Sequence, residues 1–97
     1  MSTEGEMWED RAYRVCGCVQ GVGFRWWARG VAEELALGGT VRNLADGSVE
    51  VRATGDAASL DRLEGMLREG PRFSRVDRLE VIEVEVIARP DEFRIEP

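Results

Sequence analysis

The chain has 97 residues, a hydrophobic fraction of 43% and a formal net charge of -6. That length favours one domain, no segment is long and apolar enough to cross a membrane, and the acidic balance argues against a general nucleic-acid binder. All 13 basic residues are arginines and histidine is absent, which excludes a Ser-His-Asp triad, an HExxH zinc site, a Walker A loop and a lysine Schiff base.

The chain begins with a polar, glutamate-rich stretch. We expect residues 1–10 to form a flexible tail, without a signal peptide, ahead of a domain over residues 11–97. Apolar residues alternate with polar ones over residues 11–19, which predicts the first strand. Cys16 and Cys18 would share one face of that strand, too far apart for an easy disulfide. We interpret them as reduced cysteines of a cytoplasmic protein.

A glycine-rich bend over residues 20–24 precedes a helix predicted over residues 25–37. Gly21 and Gly23 permit φ values that other residues resist, and N–H groups at a helix start can converge on an anion. Arg25 would add a planar, charged fork that suits phosphate oxygens. By itself, the pattern fits a phosphate site and a tight turn followed by a surface arginine equally well.

The apolar positions of this first helix recur at helical spacing, which predicts a core-facing stripe. They are Phe24, Trp27, Val31 and Leu35. Trp26 lies off the stripe, so we expect it either to border a pocket or to be exposed. The glycines at positions 38 and 39 are expected to end the helix.

The second strand is predicted over residues 40–44, and an Asp-Gly pair then favours a tight hairpin into a third strand over residues 49–54. Asn43 falls on the parity of Val41, so a carboxamide stands where alternation predicts an apolar residue. A polar group near the core needs hydrogen-bond partners or a function. Two interpretations follow: Asn43 bonds the backbone of the turn, or it serves a site.

The remaining elements are a helix and two strands. The second helix is predicted over residues 57–69, with Asp56 as its N-cap and a Gly-Pro pair as its end. Residues 74–87 predict a fourth strand with a bulge near residues 79–82, and residues 93–95 predict a short last strand.

The element order predicts an α+β fold. A β-α-β-β-α-β chain with two helices on one face of a mainly antiparallel sheet of four to five strands is the ferredoxin-like βαββαβ sandwich. In this fold the first and second strands point the same way. We therefore expect the loop over residues 20–25 and Asn43 to lie at the same edge of the sheet.

Two sequence runs resemble the signatures of the acylphosphatase family. They are GCVQGVGFR at residues 17–25, and GTVRN at residues 39–43 followed by DGSVE. The final Phe-Arg-Ile is also similar, and the resemblance covers roughly residues 11–96. Two positions depart from the family: Thr40 replaces a usual large aromatic, and Cys18 stands where a basic residue is frequent.

The resemblance implies metal-independent hydrolysis of acyl phosphates, with Arg25 binding the phosphoryl group and Asn43 orienting the attacking water. It also implies that the loop backbone holds the phosphate oxygens, through Gln20, Gly21, Val22, Gly23, Phe24 and Arg25. No metal and no organic cofactor is implied. We further expect a small-molecule acyl phosphate as the partner, neither nucleic acid nor membrane as a partner, and a cytoplasmic monomer.

Three other functions compete with this hypothesis. An RNA reader would need exposed aromatic residues on the central strands, where Tyr13 is the best candidate. A phosphate-binding module with a dead site would keep the loop but would not need Asn43. A carbamoyl-phosphate-handling domain of a larger maturation protein would share the same fold.

Overall fold

A computed structural model of the chain describes residues 8–84 and 91–97. Its elements, in chain order, are β1 (Trp8–Cys18), α1 (Phe24–Glu34), β2 (Gly38–Asn43), β3 (Val49–Asp56), α2 (Ala57–Glu69), β4 (Arg75–Ile82) and β5 (Phe93–Ile95). Neither helix in this described part has the length and apolar character needed to cross a bilayer.

The five strands form one sheet in the order β4-β1-β3-β2-β5. The pairings are antiparallel except for the parallel pair of β2 and β5. Helix α1 packs on β2 and β5, and α2 packs on β1, β3 and β4. The predicted ferredoxin-like α+β sandwich is confirmed, with five strands in the sheet.

The core lies between the helices and the inner face of the sheet. Alternate strand positions are fully buried there, including Tyr13, Val15, Val49 and Val51. Burial of each aliphatic side chain of this size contributes about 1.5–3 kcal/mol. Because Tyr13 points into this core, it is not available as an exposed platform for base stacking.

The first strand begins earlier than the sequence predicts. Residues 8–10, assigned above to the flexible tail, belong to β1, and Trp8 pairs with Asp56 of β3. β1 begins earlier because β3 extends past its predicted end, to Asp56, and its backbone offers hydrogen-bond partners to the polar residues that precede Arg11. The rest of the expected tail, residues 1–7, lies outside the described residues.

Helix α1 ends earlier than the sequence predicts, at Glu34 instead of Leu37. Ala36 adopts a left-handed φ of 60°, and the Leu37 N–H donates to the Ala32 carbonyl at 2.9 Å, which closes the helix end. The two glycines expected to stop the helix instead begin β2.

The sequence predicts the bulge of the fourth strand near residues 79–82, but the structure has it elsewhere. The register between β1 and β4 shifts after Cys16, which leaves Asp77 outside the residue pairing. Near residues 79–82 the alternation breaks because Val81 is apolar although it is exposed on an edge strand. The predicted continuation of this strand to residue 87 lies partly outside the described residues.

Gly39 marks a close approach between β2 and β3, and its replacement is expected to be costly. Its φ is 137°, and a Cβ atom there would lie 1.8 Å from the Arg52 carbonyl oxygen. We expect Gly39→Ala to lower the free energy of unfolding by about 3 kcal/mol or more. Gly30→Ala, at an exposed helix position with open space, should instead raise it by about 0.5–1 kcal/mol. Urea denaturation of both variants checks this, and similar midpoints would contradict it.

Candidate active site

The glycine-rich loop between β1 and α1 turns through two left-handed residues. Gly21 has a φ of 77° and Gly23 a φ of 82°. A Cβ atom at either position would meet no protein atom within 4 Å. The glycines are therefore required by backbone conformation, and the space beside them is open to a ligand.

Helix α1 starts directly at this loop, with N–H groups that no side chain caps. Gly23 is the N-cap residue, and neither a capping side chain nor an acidic residue lies in the first turn. The first intrahelical bond runs from the Trp27 N–H to the Gly23 carbonyl at 3.0 Å. The preceding N–H groups have no intrahelical acceptor, so they can donate to an anion.

The Gln20 side chain fastens this loop to the turn between β2 and β3. Its Nε2 donates to the carbonyl oxygens of Leu44 and Ser48, each at 2.8 Å. The sequence prediction assigned Gln20 a role through its backbone alone and missed this contact. One signal could have suggested it: Gln20 is the sole uncharged polar side chain within residues 20–25.

Arg25 is half-buried and is held by the C-terminal segment. Its Nη1 donates to the carbonyl oxygen of Glu96 at 2.8 Å, and the Glu96 N–H donates to the Val41 carbonyl at 2.8 Å. A guanidinium has five N–H donors, so this anchor leaves others for a ligand. The anchor thus fixes the direction of the charged fork.

Asn43 ends the inward-facing row of β2 that contains Val41, as its parity predicts. Its Oδ1 is buried and has no hydrogen-bond partner within the described residues. A buried oxygen in that state costs about 1–3 kcal/mol. The side-chain bonds to the neighbouring turn come from Gln20 and from Asp46, whose Oδ1 accepts from the Ser48 N–H at 2.9 Å. The orphaned amide oxygen therefore favours a function for Asn43 over turn formation.

These groups meet in one cavity of about 130 Å³. Its lining residues are Val19, Gly21, Gly23, Phe24, Arg25, Trp26 and Asn43. The structure thus brings together the arginine, the asparagine and both glycines that the sequence singled out. Two other predicted loop residues do not line the cavity: the Gln20 side chain points to the turn, and Val22 is exposed.

The lining of this cavity contains hydrogen-bond donors and a cation but no carboxylate. Within residues 8–84 and 91–97, no three acidic or thiol side chains converge as metal ligands would. In the nearby turn, outside the lining, the Asp46 carboxylate stays negatively charged, because the Ser48 hydroxyl and N–H groups and the Arg14 guanidinium lower its pKa. The donor set therefore suits an anion.

Comparison with known proteins gives concordant matches. The profile of the Acylphosphatase family matches residues 11–95. A protein of Koribacter versatilis named Acylphosphatase is 50% identical over 88 residues, covering 91% of this chain and 80% of that protein.

Solved structures give matches of two kinds. An acylphosphatase from Coxiella burnetii has a TM-score of 0.86 and 38% identity, covering 98% of this chain and 100% of that one. T. kodakarensis HypF has a TM-score of 0.79 and 30% identity, covering 90% of this chain but 12% of that one. A similar unit therefore occurs both as a whole chain and as a small part of a larger protein.

Proposed function

This chain belongs to the acylphosphatase family and is an enzyme that hydrolyses acyl phosphates. We propose that the hydrolysis takes place in the cavity that Arg25 and Asn43 line. The observation that carries the assignment is the buried, unpartnered Oδ1 of Asn43 in the same cavity as the Arg25 guanidinium. One group suits an anion and the other suits a water molecule, which are the two reactants of a hydrolysis.

The phosphoryl group is held by charge and by N–H donors. Arg25 directs its fork at the phosphoryl oxygens, and the backbone of residues 20–25 surrounds them with N–H groups. In phosphoryl transfer, negative charge spreads over the equatorial oxygens in the transition state. Donors fixed in advance stabilise that charge without the cost of reorganisation. The Gln20 and Glu96 contacts serve this role by holding the loop and the guanidinium in place.

Asn43 positions the nucleophile. Its Oδ1 accepts a hydrogen bond from a water molecule, whose oxygen attacks the phosphorus. The bond between phosphorus and the acyl oxygen breaks, the carboxylate leaves with that electron pair, and a proton of the water passes to a phosphate oxygen. The carboxylate is a good leaving group, so little general acid catalysis is needed. This accounts for a site that functions without histidine.

The reaction is expected to proceed without a metal ion and without an enzyme group that titrates near neutrality. A divalent cation would meet Arg25 and no carboxylate within the cavity lining. We expect hydrolysis of benzoyl phosphate to be unaffected by excess chelator. We also expect kcat to vary less than about twofold between roughly pH 5.5 and 7, because histidine, the side chain that titrates there, is absent.

The uncatalysed rate at each pH is the control for ionisation of the substrate itself. Inactivation by chelator with recovery on adding a divalent metal would contradict the metal-free mechanism. A purified protein that binds phosphate and does not turn over benzoyl phosphate would contradict the assignment of the site.

The same proposal extends to the domain, the oligomeric state and the cellular location of the protein. We propose one catalytic domain over residues 11–97, with Trp8–Asp10 lengthening its first strand, and a monomer that acts on a small-molecule acyl phosphate in the cytoplasm. Cys16 and Cys18 are both free thiols. Such thiols are typical of a reducing compartment, which supports this location.

A further inference from the structure

We propose that a groove between α1 and β5 binds the acyl half of the substrate, and that Trp26 sets a preference for acyl groups with an aromatic or apolar body. This inference rests on the function proposed above for the Arg25–Asn43 cavity. It extends that function from the phosphoryl group, which all acyl phosphates share, to the part by which they differ.

The groove adjoins the cavity through a shared residue. It has a volume of about 390 Å³ and is lined by Trp26, Arg29, Glu92, Phe93, Arg94 and Ile95. Trp26 lines both the groove and the cavity. Arg25, which precedes Trp26, bonds the carbonyl of Glu96, which follows β5. The phosphoryl site and the groove are thus neighbours that share Trp26 in their lining.

Trp26 has no role in the core that would explain its presence. It is 68% exposed and lies off the buried stripe of α1, whereas Trp27 packs against Phe24 with ring centroids 5.3 Å apart. The Arg29 guanidinium lies 5.7 Å from the centroid of the Trp26 ring, and its Nε donates to Glu33 at 3.1 Å. The indole therefore makes a cation–π contact beside the cavity, with a guanidinium that also pairs with Glu33.

The size of the cavity and the direction of the reaction leave the acyl group outside the phosphoryl site. The cavity, at about 130 Å³, has about a third of the volume of the adjoining groove, at about 390 Å³, so it offers less room for a bulky acyl group. The leaving oxygen lies opposite the attacking water in an in-line displacement. The acyl group therefore points away from Asn43 on β2, and Trp26 offers the neighbouring surface on α1.

The chemistry of the groove selects the acyl class. Trp26 and the half-buried Ile95 contribute apolar surface between the charged side chains of the groove, whereas Phe93 is buried in the core beneath it. The flat, exposed indole favours stacking with another aromatic ring. Benzoyl phosphate can place its ring on this surface, whereas acetyl phosphate has a single methyl group to place there. The enzyme should consequently have a higher kcat/KM for benzoyl phosphate than for acetyl phosphate.

The test compares kcat/KM for these two substrates in the wild type, Trp26→Ala, Trp26→Phe and Phe73→Ala. We expect Trp26→Ala to lower the benzoyl-to-acetyl ratio by roughly tenfold, mainly through the KM for benzoyl phosphate, and Trp26→Phe to restore most of it. Phe73 is the matched control, because it is an aromatic that is even more exposed (78%) than Trp26 and lies outside the groove. Its replacement should leave the ratio at the wild-type value.

The outcomes distinguish failure of the acyl groove from failure of the Arg25–Asn43 phosphoryl site. A wild-type ratio in Trp26→Ala, or an equal loss for both substrates, would overturn the groove while leaving the phosphoryl site in place. A wild type that hydrolyses neither substrate overturns the site assignment and the groove together.

Discussion

Replacing Asn43 by alanine is expected to lower kcat for benzoyl phosphate by roughly 100-fold or more, which corresponds to about 2.7 kcal/mol of activation free energy. The amide oxygen is buried, has no hydrogen-bond partner among the described protein residues and belongs to a residue that lines the Arg25 cavity, which is the arrangement proposed to position water. The phosphoryl group is held by other residues. Inhibition by inorganic phosphate should therefore stay within about threefold of the wild type, which separates nucleophile positioning from phosphate binding.

The same substitution should cost no stability. Alanine removes a buried oxygen without a partner, so the free energy of unfolding is expected to be unchanged or slightly higher. Arg42→Ala is the matched control, because Arg42 lies next to Asn43 on the opposite face of β2 and pairs with Glu50 at 2.9 Å. It should keep near-wild-type kcat. Full activity in Asn43→Ala, or loss of phosphate inhibition along with activity, would remove Asn43 from the proposed role.

Local patterns single out the two central residues, but they leave two interpretations for each. The resemblance to the family signatures decides between those interpretations. Asn43 interrupts an alternating strand, and Arg25 follows a glycine bend at the start of an amphipathic helix. The element order then places both at one edge of the sheet. In the structure both residues line one cavity at that edge.

The contacts that hold these residues in position could not be found in the same way. Gln20 bonds carbonyls that lie 24 and 28 residues away, and Arg25 bonds a carbonyl 71 residues away. Every residue carries a backbone carbonyl, so the sequence contains no pattern that marks these acceptors. The Glu96 acceptor is placed by the docking of β5 beside β2, a parallel pairing that short-range periodicity does not reveal. The Leu44 and Ser48 acceptors are placed by the turn between β2 and β3, which lies beside the loop.

Element ends were missed for a related reason. β1 extends back to Trp8 because β3 supplies backbone partners as far as Asp56, and strand pairing does not require apolar side chains. Helix α1 ends at Glu34 because Ala36 takes a left-handed conformation, which alanine rarely adopts. For β1 the pairing with β3 outweighs the local preference of the residues, and for α1 the end is closed locally, by the bond from the Leu37 N–H to the Ala32 carbonyl.

Arg25→Lys is expected to lower kcat/KM by roughly 1,000-fold, or about 4 kcal/mol, although the charge is kept. The guanidinium donates to the Glu96 carbonyl and still has donors for the phosphoryl oxygens. A lysine ammonium is a point charge on a flexible stem, so it cannot satisfy that carbonyl and present a planar fork at once. The loss should be accompanied by at least tenfold weaker inhibition by inorganic phosphate.

This double effect distinguishes Arg25 from Asn43. If Arg25 binds the phosphoryl group in both the ground state and the transition state, its loss must weaken phosphate binding as well as turnover, whereas loss of Asn43 affects turnover alone. Arg68→Lys is the matched control, because Arg68 forms an exposed pair with Glu64 on α2 and should tolerate the exchange. A lysine variant with wild-type phosphate inhibition would show that charge suffices for binding, and the planar fork would lose its assigned role.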